Sequence, residues 1–318
     1  MDLFLKNTKP CISRGFLLAV NLLFKISMKQ LLFLILLCGL ISCEQNIEFD
    51  LDESPSALVA EASIETGKAP KVILSKSLSY YSTIDAAVLM SSFIHDAEVY
   101  VSNGSVTHKL KEDSTQLFPG FFTYYYSTDS SNLATAIEGA EGETYDLRIV
   151  WQGKEYLSST TIPTLAVVPD SVWFMPAPAN PDTAKRILMI RATDPPGLGN
   201  YIRYYTKTNG EPFWPGPNSV FTDQIFDGST YQAIFQRGFN PNNPPEPEEN
   251  FFKQGDTVTI KYCNINKATY DFWNTWEFAR QAIGNPFSQP NTVTSNITGG
   301  GLGSFCGYAP WYGTYIIP

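Results

Sequence analysis

Five cysteines and two histidines are the side chains here best suited to nucleophilic or metal chemistry. Cys43 is the one whose surroundings specify a reaction. It closes residues 31–43, LLFLILLCGLISC, behind an apolar run and directly after the small Ser42. A thiolate at that point can attack a glyceride donor, and the small neighbour lets a peptidase reach the preceding bond. Cys263 and Cys306 lie far downstream. In an oxidising compartment they can pair as a disulfide, or they can stand as two separate buried thiols. Zinc needs more ligands than they provide, because only His95 and His108 accompany them. His108 shares a strand face with Val106 and Leu110 and reads as a half-buried packing residue; His95 has no partner signal. The chain has no Gly-x-Ser-x-Gly elbow and no His-Glu-x-x-His pair. Paired carboxylates for glycoside cleavage leave no linear signature, since their separation is spatial. The reading is therefore of a chain that is not an enzyme, with no catalytic residue, metal or cofactor, and with ligand-binding residues unknown.

The elements ahead of Cys43 position it for that chemistry. Met28-Lys29-Gln30 supplies a start and a positive charge, and residues 31–41 form an apolar run too short for a stable membrane anchor. The junction Leu40-Ile41-Ser42-Cys43 resembles a bacterial lipobox, in which the cysteine is lipidated and becomes the first mature residue. Acyl chains there hold a protein to a membrane, each buried CH₂ contributing about 0.8 kcal/mol. Residues 1–42 are thus read as a signal-peptide region. Within it, residues 1–27 hold a second apolar run, 16–24, and read as an over-long start ahead of Met28. Residues 44–56 read as an acidic tether, five of the first ten being Asp or Glu. Such a patch after a lipidated cysteine resembles a surface-export signal of Bacteroidota. The expected location is the outer membrane, lipid-anchored at Cys43 and displayed on the cell surface; an inward-facing position is the alternative.

Residues 1–42 hold five of the 22 basic and one of the 31 acidic side chains. The remaining 276 residues carry 17 basic against 30 acidic groups, a balance of −13. Such a surface repels polyanions and argues against nucleic acid as a partner. Aromatics make up 14% of the chain, beside 22 Pro and 22 Gly, which suits a turn-rich β protein.

The fold class expected is mainly β, in two domains. Residues 57–165 read as an immunoglobulin- or transthyretin-like sandwich. Its strands are placed at 57–64, 71–78, 97–102, 105–111, 121–126, 144–151 and 155–161, with Asn103-Gly104 as a hairpin turn. The proline-rich stretch 163–181 reads as the boundary. Residues 166–318 form a second β-rich domain, with strands at 186–193, 200–207, 220–226, 230–236 and 256–263. A helix at 267–283 is capped by Asn266, with Phe272, Trp276, Ala279 and Ile283 on its buried face and Tyr270 and Trp273 widening that stripe. The loop 240–250 offers Glu246, Glu248 and Glu249 to a calcium ion, but its prolines keep them from converging, and it reads as a plain exposed loop. The glycines of 299–303 lack the Lys-Ser/Thr of a phosphate loop. They read as a close approach of backbone to core, with Leu302 and Phe305 as plugs.

Asn285-Pro286, Ser295-Asn296-Ile297 and Gly300-Gly301-Leu302-Gly303-Ser304-Phe305 with Gly307-Tyr308 carry a resemblance. With the lipobox and the helix, they resemble the domain-of-unknown-function family numbered 4249, envelope lipoproteins of Bacteroidota. Gly299, which makes the glycine run a triple, departs from the pattern. The resemblance implies an N-terminal β-sandwich and encoding beside TonB-dependent outer-membrane receptors. It suggests a binding or accessory subunit in nutrient uptake, held to the membrane through Cys43. The alternative is a structural or adhesive surface lipoprotein with no small-molecule ligand.

Overall fold

The computed structural model describes residues 56–79, 82–178, 180–246, 250–285, 287–289 and 291–318. The signal region, Cys43, nearly all of the tether, Glu248 and Glu249 lie outside these. In chain order the elements are β1 (Leu58–Glu65), β2 (Lys71–Lys76), α1 (Ala86–Ser92), β3 (Glu98–Ser102), β4 (Thr107–Lys109), β5 (Lys111–Phe118), β6 (Phe121–Ser127), β7 (Thr144–Trp151) and β8 (Lys154–Thr161). There follow β9 (Pro169–Pro176), β10 (Lys185–Thr193), β11 (Tyr201–Thr208), β12 (Trp214–Thr222), β13 (Thr230–Phe235), β14 (Phe252–Lys253), β15 (Thr257–Ile265), α2 (Lys267–Gln281) and β16 (Leu302–Ile316). The protein is mainly β.

Strict alternation builds the first core. Tyr145, Leu147, Ile149 and Trp151 of β7 are buried, while the residues between them face outward. Gln152 and Gly153, both at positive φ, turn the chain tightly into β8. β7 pairs with β3, and the sheet β4-β3-β7-β8 packs its inner face on Leu58, Ala60, Ala62 and Ile64 of β1 and on Val72 and Leu74 of β2. Each large side chain buried there contributes about 1.5–3 kcal/mol. A second core lies between β10 with its neighbours β9, β13 and β14 and the inner faces of β11 and β15.

Both cores sit on one sheet. Its eight strands run β12-β11-β15-β16-β1-β2-β6-β5. β16 joins the halves: residues 302–308 pair parallel with β1, and residues 308–316 pair antiparallel with β15. Residues 54–318 form a single compact unit. The boundary expected near residue 165 therefore divides neither the large sheet nor the first core, which takes Ile297, Phe305 and Ala309 from beyond it. The proline-rich stretch read as a linker contains β9, which pairs with β10 from Pro169 to Pro176.

The glycine segment 299–303, read as a close approach of backbone to core, leads into this central strand. Gly303 has φ +97°, and a Cβ there would lie 2.0 Å from the Ala60 carbonyl oxygen. The expected close approach is present, but its neighbour is a sheet partner. Phe305 is buried in the first core, whereas Leu302 faces out and plugs nothing.

α2 begins where its cap predicts: the Asn266 side chain accepts from the Thr269 N–H at 2.9 Å. Tyr270 and Trp273 pack as expected, against Cys263, Ile265, Cys306 and Tyr308 of the sheet. The rest of the buried face differs: Thr269 and Glu277 are buried while Ile283 is exposed. Hydrophobic periodicity does not detect the buried Glu277, which meets the polar groups of Ser219 and Arg203.

Candidate functional site

The outer face of β4-β3-β7-β8 carries an open groove of about 500 Å³. Alternation places Tyr100 and Ser102 of β3, Asp146 and Arg148 of β7, and Leu157 and Ser159 of β8 on this face. Asn296 and Thr298 complete it. The Thr298 N–H and hydroxyl both donate to the Leu157 carbonyl, at 2.8 and 3.0 Å, holding the segment after α2 against the edge of β8. The Asn296 amide bridges Phe305, donating to its carbonyl at 2.9 Å and accepting from its N–H at 2.8 Å. Ile297 between them drops into the first core. The step Ser295-Asn296-Ile297 thus acts as a strap tying β16 to the small sheet.

Tyr100 is the centre of the groove floor. The Arg148 guanidinium lies 4.4 Å and the Lys109 ammonium 5.4 Å from its ring centre. Its hydroxyl donates to Glu98, which also receives Lys109 at 2.8 Å. Hydrogen bonds from Lys109 and then Tyr100 hold the Glu98 carboxyl below its usual range, and Glu98 in turn raises Lys109. Arg148 reaches Glu155 at 3.1 Å. The groove thus offers an aromatic ring braced by cations, an exposed leucine, hydroxyls and one amide. That combination suits stacking and hydrogen bonding to a ligand with polar and apolar faces.

A second polar cluster lies beneath α2. Arg203 is 3% exposed, and its guanidinium stacks 3.3 Å from the centre of the Trp273 ring. The Tyr308 hydroxyl accepts from Arg203 at 3.1 Å and from the Trp273 indole at 2.9 Å. Glu277 accepts from the Ser219 N–H at 3.0 Å and from the Ser219 hydroxyl. Burial raises the Glu277 carboxyl above its usual range, against the opposing pull of the Ser219 bonds and the Arg203 charge. These groups satisfy one another, and their effect is to fix the helix on the sheet.

Asp194, Asp223 and Asp227 bring carboxylate oxygens within 4.8 Å of one another. Backbone donors occupy them: Asp223 accepts from Gly199 and Asn200 at 2.7 and 2.8 Å, and Asp227 from Gly197 at 2.6 Å. The trio clasps the loop after β10 to the loop after β12. Glu246, the one described carboxylate of the proline-rich loop, is exposed.

Cys263 and Cys306 are separate, buried, free thiols, and the disulfide does not form. Cys263 faces Pro310 across the β15–β16 ladder, four residues beyond Cys306. At about 3.3 Å per residue that offset exceeds disulfide reach. Burial pushes the Cys263 thiol up to about 12. His108 is fully buried, more than the half-burial expected. Its Nε2 accepts from the Asp129 N–H at 3.0 Å, and its Nδ1 bonds Thr135 at 2.8 Å. Exposed His95 bonds Glu112 at 2.6 Å.

None of the groove side chains except Asn296 stood out in the sequence. Tyr100, Arg148 and Leu157 occupy outward positions on three strands and have no linear signature. Nothing among curated proteins matches the chain. A family model described as "Domain of unknown function (DUF4249)" matches residues 44–310, starting at the residue after Cys43 and running through the tether, both cores, the strap and most of β16. The chain belongs to this family.

Proposed function

We propose that this protein is an outer-membrane lipoprotein, held by acyl chains on Cys43 and displayed on the cell surface. It acts by binding rather than catalysis, as an accessory subunit beside a TonB-dependent receptor in nutrient uptake. The carrying observation is the position of Cys43. It stands between the apolar leader and the first residue of the family match. The acidic residues that follow it support surface display, and the groove around Tyr100 supports capture of a small ligand.

The test replaces Cys43 with alanine and fractionates cells fed radioactive palmitate. The native protein is expected to take up label and pellet with outer membranes, and Cys43→Ala to do neither. Affinity purification from detergent-solubilised membranes is expected to recover a receptor in stoichiometric amount. An unlabelled native protein sinks the anchor. A labelled protein recovered alone sinks the accessory role and favours a structural or adhesive lipoprotein.

A further inference from the structure

The β5–β6 hairpin carries an exposed apolar tip. Leu117 is 62%, Phe118 55% and Phe122 36% exposed, and Phe118 stacks on Phe121 with ring centres 4.9 Å apart. Gly120, at φ +84°, makes the turn between the strands. β5 is the outermost strand of the eight-stranded sheet, and seven of its eight residues are exposed. β6 joins the sheet through one registered pair, Val72 with Tyr126.

Register fixes where the tip points. Tyr126 is level with Val72, and Val72 with Ala62 of β1. β6 runs parallel to β1, since each is antiparallel to β2. Four residues back from this level bring β1 to Leu58 and β6 to Phe122. Phe121, Gly120 and Phe118 lie beyond. The tip therefore projects from the end of the sheet at which the chain arrives from Cys43. The loop leaving β2 at this end adds exposed Leu78 and Ile84. Residues 44–55 bridge the interval to Cys43, and twelve residues reach at most about 40 Å.

The order of side chains along the hairpin is graded. The tip, residues 117–122, is wholly apolar. Gln116 is level with Phe122; behind them come Thr115 with Thr123, Ser114 with Tyr124, and Tyr125 beside Asp113. Asp113, Glu112 and Lys111 stand at the base. Residues 114–128 hold no charge, in a chain whose mature part is strongly acidic. Hydrocarbon at the end, hydroxyl and phenol behind it and charge last is the gradient of a bilayer interface.

We propose that this hairpin is a second membrane contact, its tip inserted into the lipid leaflet that holds the acyl chains of Cys43. The proposal rests on the lipid-anchored reading above. Two contacts on one edge restrict the rotation that a single flexible tether allows, and so orient the body relative to the membrane.

The test uses the full acylated protein in vesicles of phosphatidylethanolamine and phosphatidylglycerol. Phe118→Cys is coupled to an environment-sensitive nitrobenzoxadiazole dye; Cys43 is acylated, and Cys263 and Cys306 are buried. Ala69→Cys, in the exposed β1–β2 turn at the opposite end, is the control. The expected result is flotation of both proteins with the vesicles. Dye at position 118 is then blue-shifted, severalfold brighter and quenched by lipids brominated high on the acyl chain, while dye at 69 stays aqueous. Flotation with dye at 118 as aqueous as dye at 69 overturns the hairpin contact and leaves the anchor standing. Failure to float overturns both. Dye at 118 that is aqueous on vesicles but shielded in native outer membranes overturns the lipid contact and identifies a protein as the occupant.

Discussion

Glu65 closes the seam between the two halves of the large sheet. It stands on β1 and accepts from Lys68 at 2.5 Å, from the Tyr312 hydroxyl at 2.6 Å and from Lys261. Tyr312 and Lys261 are opposite one another on β16 and β15, so one carboxylate spans three strands. Burial alone would raise Glu65; attraction to Lys261 and the three hydrogen bonds outweigh it and hold the carboxyl below its usual value. Glu65→Gln leaves Lys261 buried without its charge partner. It is expected to cost about 3 kcal/mol, read as a lowered urea midpoint at pH 7. The lowered folded-state value sets the sign of the pH dependence. The contribution is complete above the ordinary carboxylate value of about 4.3 and is lost as pH falls through the folded value. The gap between native and variant proteins is thus expected to shrink in acid, and a gap that widens would contradict the assignment. No pattern in the sequence announces this residue: besides Lys68, three residues on, its partners are 196 and 247 positions away. The cap Asn266 was legible because everything that defines it lies within a few neighbours.

Among the elements, legibility followed periodicity. Thr144–Trp151 alternates strictly, buries one face and was placed to the residue. The turn at Asn103-Gly104 was readable because tight hairpins favour positive φ, which Gly104 adopts. β16 was not, for two reasons. It has sheet neighbours on both edges, and its central residues 304–309 are buried on both faces, so alternation disappears. Its glycines look like loop residues while serving tight contacts. Gly303→Ala adds a methyl against the Ala60 carbonyl at a left-handed φ. It is expected to cost roughly 3 kcal/mol and to lower the melting temperature by roughly 6–12 °C. Unchanged melting would show that the parallel β1–β16 pairing is wrong. For α2 the extent and the packing of Tyr270 and Trp273 were legible; the burial of Glu277 was not, because its partner Ser219 is 58 residues away.

At the scale of the molecule, the two expected domains proved to be two cores on a common sheet, and composition cannot distinguish these arrangements. The groove was equally hidden, being assembled from three strands and a strap over 130 residues further along the chain. Calorimetry discriminates between the two architectures. Separate domains melt independently, whereas halves that share β16 are expected to unfold in one transition at every scan rate. Two resolved transitions would restore the boundary near 165. The seam has a further consequence for biogenesis. β1 is the first strand of the sheet to be synthesised, and its partner across the seam is the last to appear. Until residue 302 and its successors arrive, β1 and β15 each present an open edge, the form of backbone most prone to aggregate. Native pairing must then close a loop of more than 240 residues, which makes it slow. A holding chaperone that caps those two edges is therefore expected to govern the yield of folded protein.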